Sequence, residues 1–111
     1  MEGLKRGDIV LVALQGDYGK PRPALLVQSD LFNGTHPSVS ILPLTSELRD
    51  APLFRIPVAP SAGNGLKKPS QVMLDKPFTV AKERIGGRIG RIDEPTLMRV
   101  NRSLMVWLGL P

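Results

Sequence analysis

The sequence predicts a mainly β protein of the α+β class, in which short antiparallel strands are followed by one C-terminal amphipathic helix. Apolar, β-branched segments of four to seven residues recur over the first 74 residues, and each has the length of a strand. Segments rich in glycine and proline separate them, as turns require. Only the last 19 residues combine a helical apolar period with signals for a helix start and stop.

Three strands are predicted in the first half of the chain. They are DIVLVAL (8–14), ALLVQSD (24–30) and SVSILPL (38–44). Between the first two, QGDYGKPRP (15–23) holds two glycines and two prolines and is predicted to be a loop. The segment NGTHP (33–37) is predicted to be the turn that leads into the third strand.

The middle of the chain is predicted to alternate short strands with turns. TSELRD (45–50) is expected to form one helical turn, capped by a hydroxyl side chain at its start. LFRIPVA (53–59) alternates like a half-exposed strand, and QVML (71–74) is a shorter strand. VAKERIGGRIGRI (80–92) is interrupted by three glycines, which favours a helical turn followed by a short strand.

The C-terminal segment DEPTLMRVNRSLMVWLGL (93–110) is predicted to be a helix. Asp93 suits the N-cap, and Pro95 is tolerated in the first turn. Gly109 is placed to end the helix. The apolar residues that recur at helical spacing, and so predict the buried face, are Leu97, Val100, Leu104 and Leu108.

Length and composition exclude several classes of protein. A chain of 111 residues is expected to form one domain, 1–111. It has no cysteine, which excludes disulfides and zinc–thiolate sites, and its single histidine, His36, excludes paired-histidine catalysis. No apolar run approaches the roughly 20 residues that span a bilayer, and the N-terminus lacks the apolar stretch of a signal peptide. We therefore expect a cytoplasmic protein without contact to a membrane.

The positive charge is concentrated in the C-terminal part of the chain. Residues 1–66 contain six Lys and Arg against six Asp and Glu, whereas residues 67–111 contain nine against four. The excess of five in the second part therefore equals the formal net charge of +5. This distribution favours a polyanionic or acidic partner.

Three side chains at predicted strand ends could act together on a phosphodiester. Arg22 stands between two prolines whose φ angles are fixed, so little entropy is lost when it binds an anion. Thr45 follows the third strand, and Asp75 follows QVML. Arginine binds phosphate in a bidentate manner, threonine donates a hydrogen bond and aspartate accepts a proton. Taken alone, the same residues also fit a surface ion pair, a helix cap and a turn.

Five segments together resemble the MazF/PemK family of toxin–antitoxin ribonucleases. They are KRGDIVLVAL (5–14), GKPRPALLVQSD (19–30), ILPLTSEL (41–48), QVMLDKPFTV (71–80) and RIGRIDEPTLMRVNRSLMVWLGL (88–110). The resemblance covers nearly the whole chain in the same order. It implies an SH3-like antiparallel β-barrel of the CcdB/PemK type with a short helical turn and the C-terminal helix, assembled as a homodimer.

The resemblance also implies an activity. Members of the family are endoribonucleases that cut single-stranded RNA at short sequences without a metal or any other cofactor. The ribose 2′-hydroxyl attacks the adjacent phosphate, which leaves a 2′,3′-cyclic phosphate and a 5′-hydroxyl. The implied partners are RNA and a cognate antitoxin with an acidic, disordered tail. Contact with DNA is expected only through the complex with the antitoxin.

Site residues follow from matching the family motifs to this sequence. Arg22 matches the catalytic arginine of the RP motif, Thr45 matches the catalytic threonine or serine, and Asp75 matches an acidic position that some PemK-type members use as the base. The residues that we expect to bind RNA are Asp17, Tyr18, Lys20, Ser46, Gln71 and Lys76.

The sequence departs from the family pattern in two places. The loop before Arg22 lacks the usual Glu-Gln pair, and Met73 replaces an arginine that PemK-type members place two residues before the acid. Lys20 or Lys76 could supply the missing positive charge. Phe78 offers a further stacking face for a base, although core packing is the simpler expectation for it.

Two other functions fit parts of the same sequence. The tail SLMVWLGLP (103–111) resembles the Trp-Gly tail that CcdB-type toxins insert into DNA gyrase. The simpler expectation is that Trp107 packs against the barrel or a second subunit. The other alternative is a binding module, an SH3-like barrel whose basic face holds an acidic peptide without catalysis.

Overall fold

The computed structural model describes residues 3–13 and 20–111. In these ranges the chain forms seven strands, two α-helices and one 3-10 turn. In chain order they are β1 (Asp8–Ala13), β2 (Pro21–Leu26), α1 (Asp30–Asn33), β3 (Ser38–Thr45), β4 (Arg55–Val58), β5 (Ser70–Met73), β6 (Phe78–Ala81), the 3-10 turn (Lys82–Arg84), β7 (Ile85–Arg91) and α2 (Glu94–Leu108).

All recorded strand pairs are antiparallel, and β3 is the centre of the sheet. The strand order is β4-β5-β3-β2-β1-β7, and β6 pairs with β3 outside this path. The N-terminal half of β3 pairs with β6, whereas its C-terminal end pairs with β5. The predicted class, a mainly β fold with a C-terminal helix, is confirmed. Within the described ranges, the recorded ladder runs from β4 to β7 without joining these two strands.

The alternation of side chains along the strands produces two buried clusters, one on each face of the sheet. One cluster is covered by α2 and includes Ile9, Leu25 and Leu42 together with Leu97 and Val100 of the helix. The other cluster is made of the intervening residues, including Val10, Val12, Ala24, Leu26, Val39, Ile41, Val80 and Ile85. Arg22 has the same strand parity as Ala24 and Leu26, so it belongs to the face opposite the helix.

Helix α2 begins and ends where the sequence predicts. The Asp93 carboxylate accepts hydrogen bonds from the Thr96 backbone N–H at 3.1 Å and from the Thr96 hydroxyl at 2.7 Å. Gly109 ends the helix in the left-handed conformation with φ of 70°, which an L side chain rarely adopts. None of the helices in the described part of the chain is long and apolar enough to cross a membrane.

The prediction that 15–23 is a loop was wrong at its end, because β2 already begins at Pro21. The recorded pairs of β2 with β1 extend from Leu25 to Pro21, whereas those with β3 stop at Ala24. A proline cannot donate to a neighbouring strand, so the alternation of antiparallel pairs turns positions 21 and 23 toward β3. Both prolines therefore lie where β2 is paired on one side only, and β1 carries Arg22 into the sheet.

Two further element predictions needed correction. The predicted second strand ends at Leu26 rather than at residue 30, because the Ser29 hydroxyl accepts the Leu31 N–H at 3.2 Å and caps α1. The predicted helical turn at 45–50 is not a helix. There the Thr45 hydroxyl accepts the Glu47 N–H, and Gln71 binds the backbone of the same segment. These side-chain bonds replace the ones that a helical turn would make.

The N-terminal RGD segment is a structural anchor. Asp8 is fully buried, and its carboxylate accepts the Lys5 N–H at 2.8 Å. The same carboxylate lies 3.1 Å from the Arg91 guanidinium and 3.6 Å from that of Arg88. This network joins the N-terminal segment to the second half of β7.

The loop between β4 and β5 lies directly against β7. Asn64 is buried and holds this loop by accepting the Ser61 and Leu66 N–H groups at 3.0 Å and by donating to the Ala59 carbonyl at 2.8 Å. A Cβ atom at Gly90 would overlap the backbone of Asn64. The close approach of the two segments therefore depends on a glycine at this position.

Candidate functional site

Arg22 and Thr45 lie on neighbouring strands at the same level of the sheet. Arg22 is exposed on β2, where it is paired with Val12 of β1. The register of β2 and β3 pairs Ala24 with Pro43. Continued two residues to the end of β3, it sets Arg22 opposite Thr45. The pairing of β2 with β3 stops at Ala24 and Pro43, so Arg22 and Thr45 share a level of the sheet without being a ladder pair.

The next strand adds a third residue to the same line. Thr45 is paired with Gln71 of β5. Arg22, Thr45 and Gln71 therefore follow one another across β2, β3 and β5, and we call them the site row. Sequence reasoning had placed these residues at separate strand ends, and the strand order brings them together.

The Thr45 hydroxyl is held in place while keeping its own proton. It is half-buried and accepts the Glu47 N–H at 3.1 Å. A hydroxyl group has one proton to donate in addition to its acceptor lone pairs. This proton is thus available for a ligand oxygen placed above the site row.

Gln71 fixes the segment that follows Thr45. Its side-chain oxygen accepts the Arg49 N–H and one guanidinium N–H of Arg55, both at 3.1 Å. Its side-chain nitrogen donates to the Arg49 carbonyl at 2.9 Å. Arg55 also donates to the Glu47 carbonyl at 3.1 Å. Gln71 is therefore a positioning residue, and its predicted direct contact with RNA stays a prediction.

Asp75 lies outside the strands that carry the site row. It is in the turn that follows β5, where the Lys76 N–H donates to the Met73 carbonyl at 3.3 Å. The strand pairing that aligns Arg22, Thr45 and Gln71 therefore does not include Asp75, and its place in the site stays a prediction.

The environment of Asp75 is nevertheless unusual. Its side chain is 27% exposed, and Oδ2 lies 3.8 Å from the Lys76 ammonium. The other carboxylate oxygen, Oδ1, is buried and has no hydrogen-bond partner among the described residues. A buried acceptor of this kind is ready to receive a proton or a donor.

The other predicted contacts fall into three groups. Lys20, Ser46 and Lys76 are exposed, and Lys20 and Ser46 lie next to the site row in the chain. Phe78 is half-buried against the cluster on the Arg22 face, as core packing predicts. The remaining two predicted residues, Asp17 and Tyr18, lie outside the described residues.

Sequence reasoning missed a basic pocket beside the site row, which we call the arginine pocket. Arg49, Arg55 and Arg99 line this cavity of about 260 Å³ together with Gln71 and Asp50. The three arginines come from a loop, from β4 and from α2. No local pattern links them, because only the packing of α2 beside β4 brings them together.

An apolar groove adjoins the arginine pocket at Pro52, which lines both cavities. Phe54 and Trp107 form its aromatic wall, with their rings 5.6 Å apart and at 82° to each other. This edge-to-face contact agrees with the expectation that Trp107 packs against the barrel. The other residues that line this aromatic groove are Leu53, Arg102, Ser103 and Val106.

The described residues contain no group of three His, Cys, Asp or Glu side chains that could hold a metal ion. The chemistry available at the site row therefore rests on a guanidinium, a hydroxyl and backbone groups. This set can bind and polarise a phosphate.

Comparisons with known proteins identify the family of this chain. The family model for the PemK-like, MazF-like toxin of type II toxin-antitoxin systems matches residues 5–108. A relative from Mycolicibacterium smegmatis, named a probable endoribonuclease MazF, is 43% identical over 108 residues, which are 96% of this chain and 98% of the relative. Endoribonuclease EndoA of Bacillus subtilis is 25% identical over 111 residues, and the match covers 96% of each chain.

Solved structures give the same answer. A mycobacterial endoribonuclease in complex with its cognate antitoxin superimposes with a TM-score of 0.83 at 26% identity, and the match covers 98% of both chains. The MazF toxin of Deinococcus radiodurans, solved with MazE, gives a TM-score of 0.78 at 22% identity over 97% of both chains. At that identity the likeness shows the fold alone.

Proposed function

The chain belongs to the family of PemK-like and MazF-like toxins of type II toxin–antitoxin systems, and on this premise we propose that it is an endoribonuclease that cuts single-stranded RNA. The observation that carries the proposal is the site row. Arg22 and Thr45 offer a cation and a hydroxyl proton on adjacent strands, as a phosphodiester requires. The endoribonucleases named among the relatives support the same assignment.

The proposed reaction takes its nucleophile from the substrate. The ribose 2′-oxygen attacks the adjacent phosphorus, the bond from phosphorus to the 5′-oxygen breaks, and a 2′,3′-cyclic phosphate and a 5′-hydroxyl remain. The protein has to align the attacking oxygen, stabilise the charge on the phosphate and move two protons. None of these tasks needs a metal or cofactor.

Arg22 is the proposed phosphate clamp. Its guanidinium stabilises the pentacoordinate phosphorane and passes a proton to the leaving 5′-oxygen, which becomes the 5′-hydroxyl, and it regains that proton from water. Thr45 is proposed to donate its hydroxyl proton to a non-bridging oxygen of the same phosphate. Its position is set before the substrate arrives, because Glu47 already holds the hydroxyl oxygen.

Asp75 is the proposed acceptor of the 2′-hydroxyl proton. Its buried Oδ1 has no hydrogen-bond partner among the described residues, which supports this role. In this role its carboxylate has to reach the 2′-hydroxyl next to the phosphate that is bound at the site row. Asp75→Asn should then lower kcat and remove the acidic limb of the pH–rate profile, whereas an unchanged profile would assign the proton transfer to another group.

We also propose the partners of this toxin. The antitoxin would carry an acidic tail that competes with RNA for the basic half of the chain, and one structural relative was solved with its cognate antitoxin. Exposed apolar residues near the end of α2, among them Met105, Leu108 and Leu110, support a homodimer. Binding of DNA would come through the antitoxin, and the cytoplasm is the expected compartment.

An RNA digest tests the proposal. Purified protein is incubated with a long single-stranded RNA in EDTA, and the ends are mapped. We expect discrete cuts with 5′-hydroxyl ends that Arg22→Ala abolishes with little change in melting temperature. Intact RNA together with trapped gyrase–DNA complexes would favour a CcdB-like poison acting through Trp107. Intact RNA with tight binding of an acidic peptide would identify a non-catalytic module.

A further inference from the structure

The arginine pocket holds more positive than negative charge. Among the described residues that line it, Asp50 is the only acidic one. Among the described residues, neither Arg49 nor Arg99 has a carboxylate within 4.0 Å of its side chain. Three guanidinium groups around a cavity of about 260 Å³ therefore form a site for an anion.

One of these guanidinium groups is oriented in advance. Arg55 donates one N–H to Gln71 and one to the Glu47 carbonyl, both at 3.1 Å and both through Nη1. Its remaining N–H groups have no partner among the described residues. Folding has thus already ordered this side chain, so little further side-chain entropy is lost when a ligand binds.

The position of the pocket indicates which anion it serves. Gln71 lines the pocket and is also the cross-strand partner of Thr45. Two strand spacings, about 10 Å, separate β3 from β4, on which Arg55 lies. A strand of RNA bound at the site row would place a neighbouring backbone phosphate within this reach.

We propose that the arginine pocket binds a non-scissile phosphate of the same RNA and so fixes the register of the strand over the site row. This inference rests on the proposed endoribonuclease function. A phosphate is favoured over the carboxylates of an acidic peptide because the pocket shares Gln71 with the site row and so continues it rather than standing apart from it.

The test compares two arginines of the same helix. Arg99 lines the arginine pocket, whereas Arg102, one turn further along α2, lines the aromatic groove. Both are exposed, so neither Arg99→Gln nor Arg102→Gln should disturb folding. The probe is an RNA oligonucleotide that spans a mapped cut and carries a 2′-deoxyribose at the cleavage position, so that it binds without being cut.

We expect Arg99→Gln to weaken binding about tenfold and Arg102→Gln to leave it nearly unchanged. The slope of log K against log salt should fall by about 0.7 in Arg99→Gln, the value for one phosphate contact of a single strand. A set of oligonucleotides with one methylphosphonate each then locates the contact. When the neutral linkage is at one particular non-scissile position, wild-type protein and Arg99→Gln should bind the oligonucleotide equally well.

Three results would overturn the inference. The first is an equal loss of RNA affinity in Arg102→Gln, and the second is a loss of affinity in Arg99→Gln that persists at every methylphosphonate position. The third is a loss in Arg99→Gln of affinity for the antitoxin tail peptide alone, which would assign the pocket to that peptide. If wild-type protein cuts and binds RNA normally while Arg99→Gln does too, the pocket proposal fails and the ribonuclease stands. If wild-type protein neither binds nor cuts RNA, both proposals fail.

Discussion

Replacing Gln71 with alanine should separate positioning from stability at this site. The substitution removes three hydrogen bonds, two to the backbone of Arg49 and one to Arg55. The part-buried hydrogen bond to Arg55 contributes about 1 kcal/mol net, and the two exposed ones contribute about 0.5 kcal/mol each because water partly replaces them. We therefore expect a loss of about 2 kcal/mol in the free energy of unfolding, or roughly 10 °C in Tm.

The effect on catalysis should be larger than this loss predicts. Without Gln71 the segment after Thr45 and the Arg55 side chain both lose their anchor, so the phosphate contacts are no longer held in register. Misplacement of about 1 Å in such a site can lower a rate about a hundredfold. We expect kcat/KM for RNA cleavage to fall by about this factor at a temperature where the variant is fully folded.

Gln28→Ala is the matched control. Gln28 also makes three hydrogen bonds, to Asn33, Ser38 and Ser40, but it lies away from the site row. Both variants are compared by thermal denaturation and by cleavage of a fluorogenic RNA. A similar loss of Tm with cleavage retained only in Gln28→Ala supports the reasoning. Cleavage at the wild-type level in Gln71→Ala, or an equal loss in both variants, would refute it.

Three further predictions concern stability. Asp93→Ala should lower the free energy of unfolding by about 1 kcal/mol. The hydrogen bond from the Thr96 side chain lowers the pKa of Asp93, so the ionised carboxylate stabilises the fold fully above the ordinary aspartate pKa and loses this effect as pH falls through the lowered value. The difference in Tm between wild type and variant should therefore shrink in acid. Asp8→Ala should cost about 1–3 kcal/mol in urea denaturation, since it removes the hydrogen bonds from the Lys5 N–H and the Arg91 guanidinium, and a cost below about 0.5 kcal/mol would contradict this. Gly90→Ala should cost about 1–3 kcal/mol through overlap with the loop backbone, whereas Gly34→Ala, which meets open space, should be nearly neutral; equal melting temperatures would disprove the close approach.

The parts of the fold that local chemistry determines could be predicted from the sequence. Helix α2 follows from a cap at Asp93, an apolar period and a stop at Gly109, all within one segment. The roles of Arg22 and Thr45 as strand-end residues followed from the motifs around them. Their alignment in one row needed the pairing of strands that are far apart in the chain.

The failures have a common physical origin in long-range contacts. The segment 45–50 has the composition of a helical turn, but Gln71, 22 or more residues away, binds its backbone instead. The arginine pocket combines side chains from three elements, so no short sequence pattern could predict it. The position of Asp75 depends on the turn after β5, which the order of strand ends in the sequence does not give.

The one-sided pairing of Pro21 and Pro23 has a consequence for the shape of the site. Backbone N–H groups at these positions would hydrogen-bond to β3, extend the ladder as far as Thr45 and draw the two strand ends to about 4.8 Å from each other. The prolines end the hydrogen-bonded ladder between β2 and β3. They keep the last stretch of β2 and β3 from closing, and the opening that remains is the one through which a phosphate would reach both side chains.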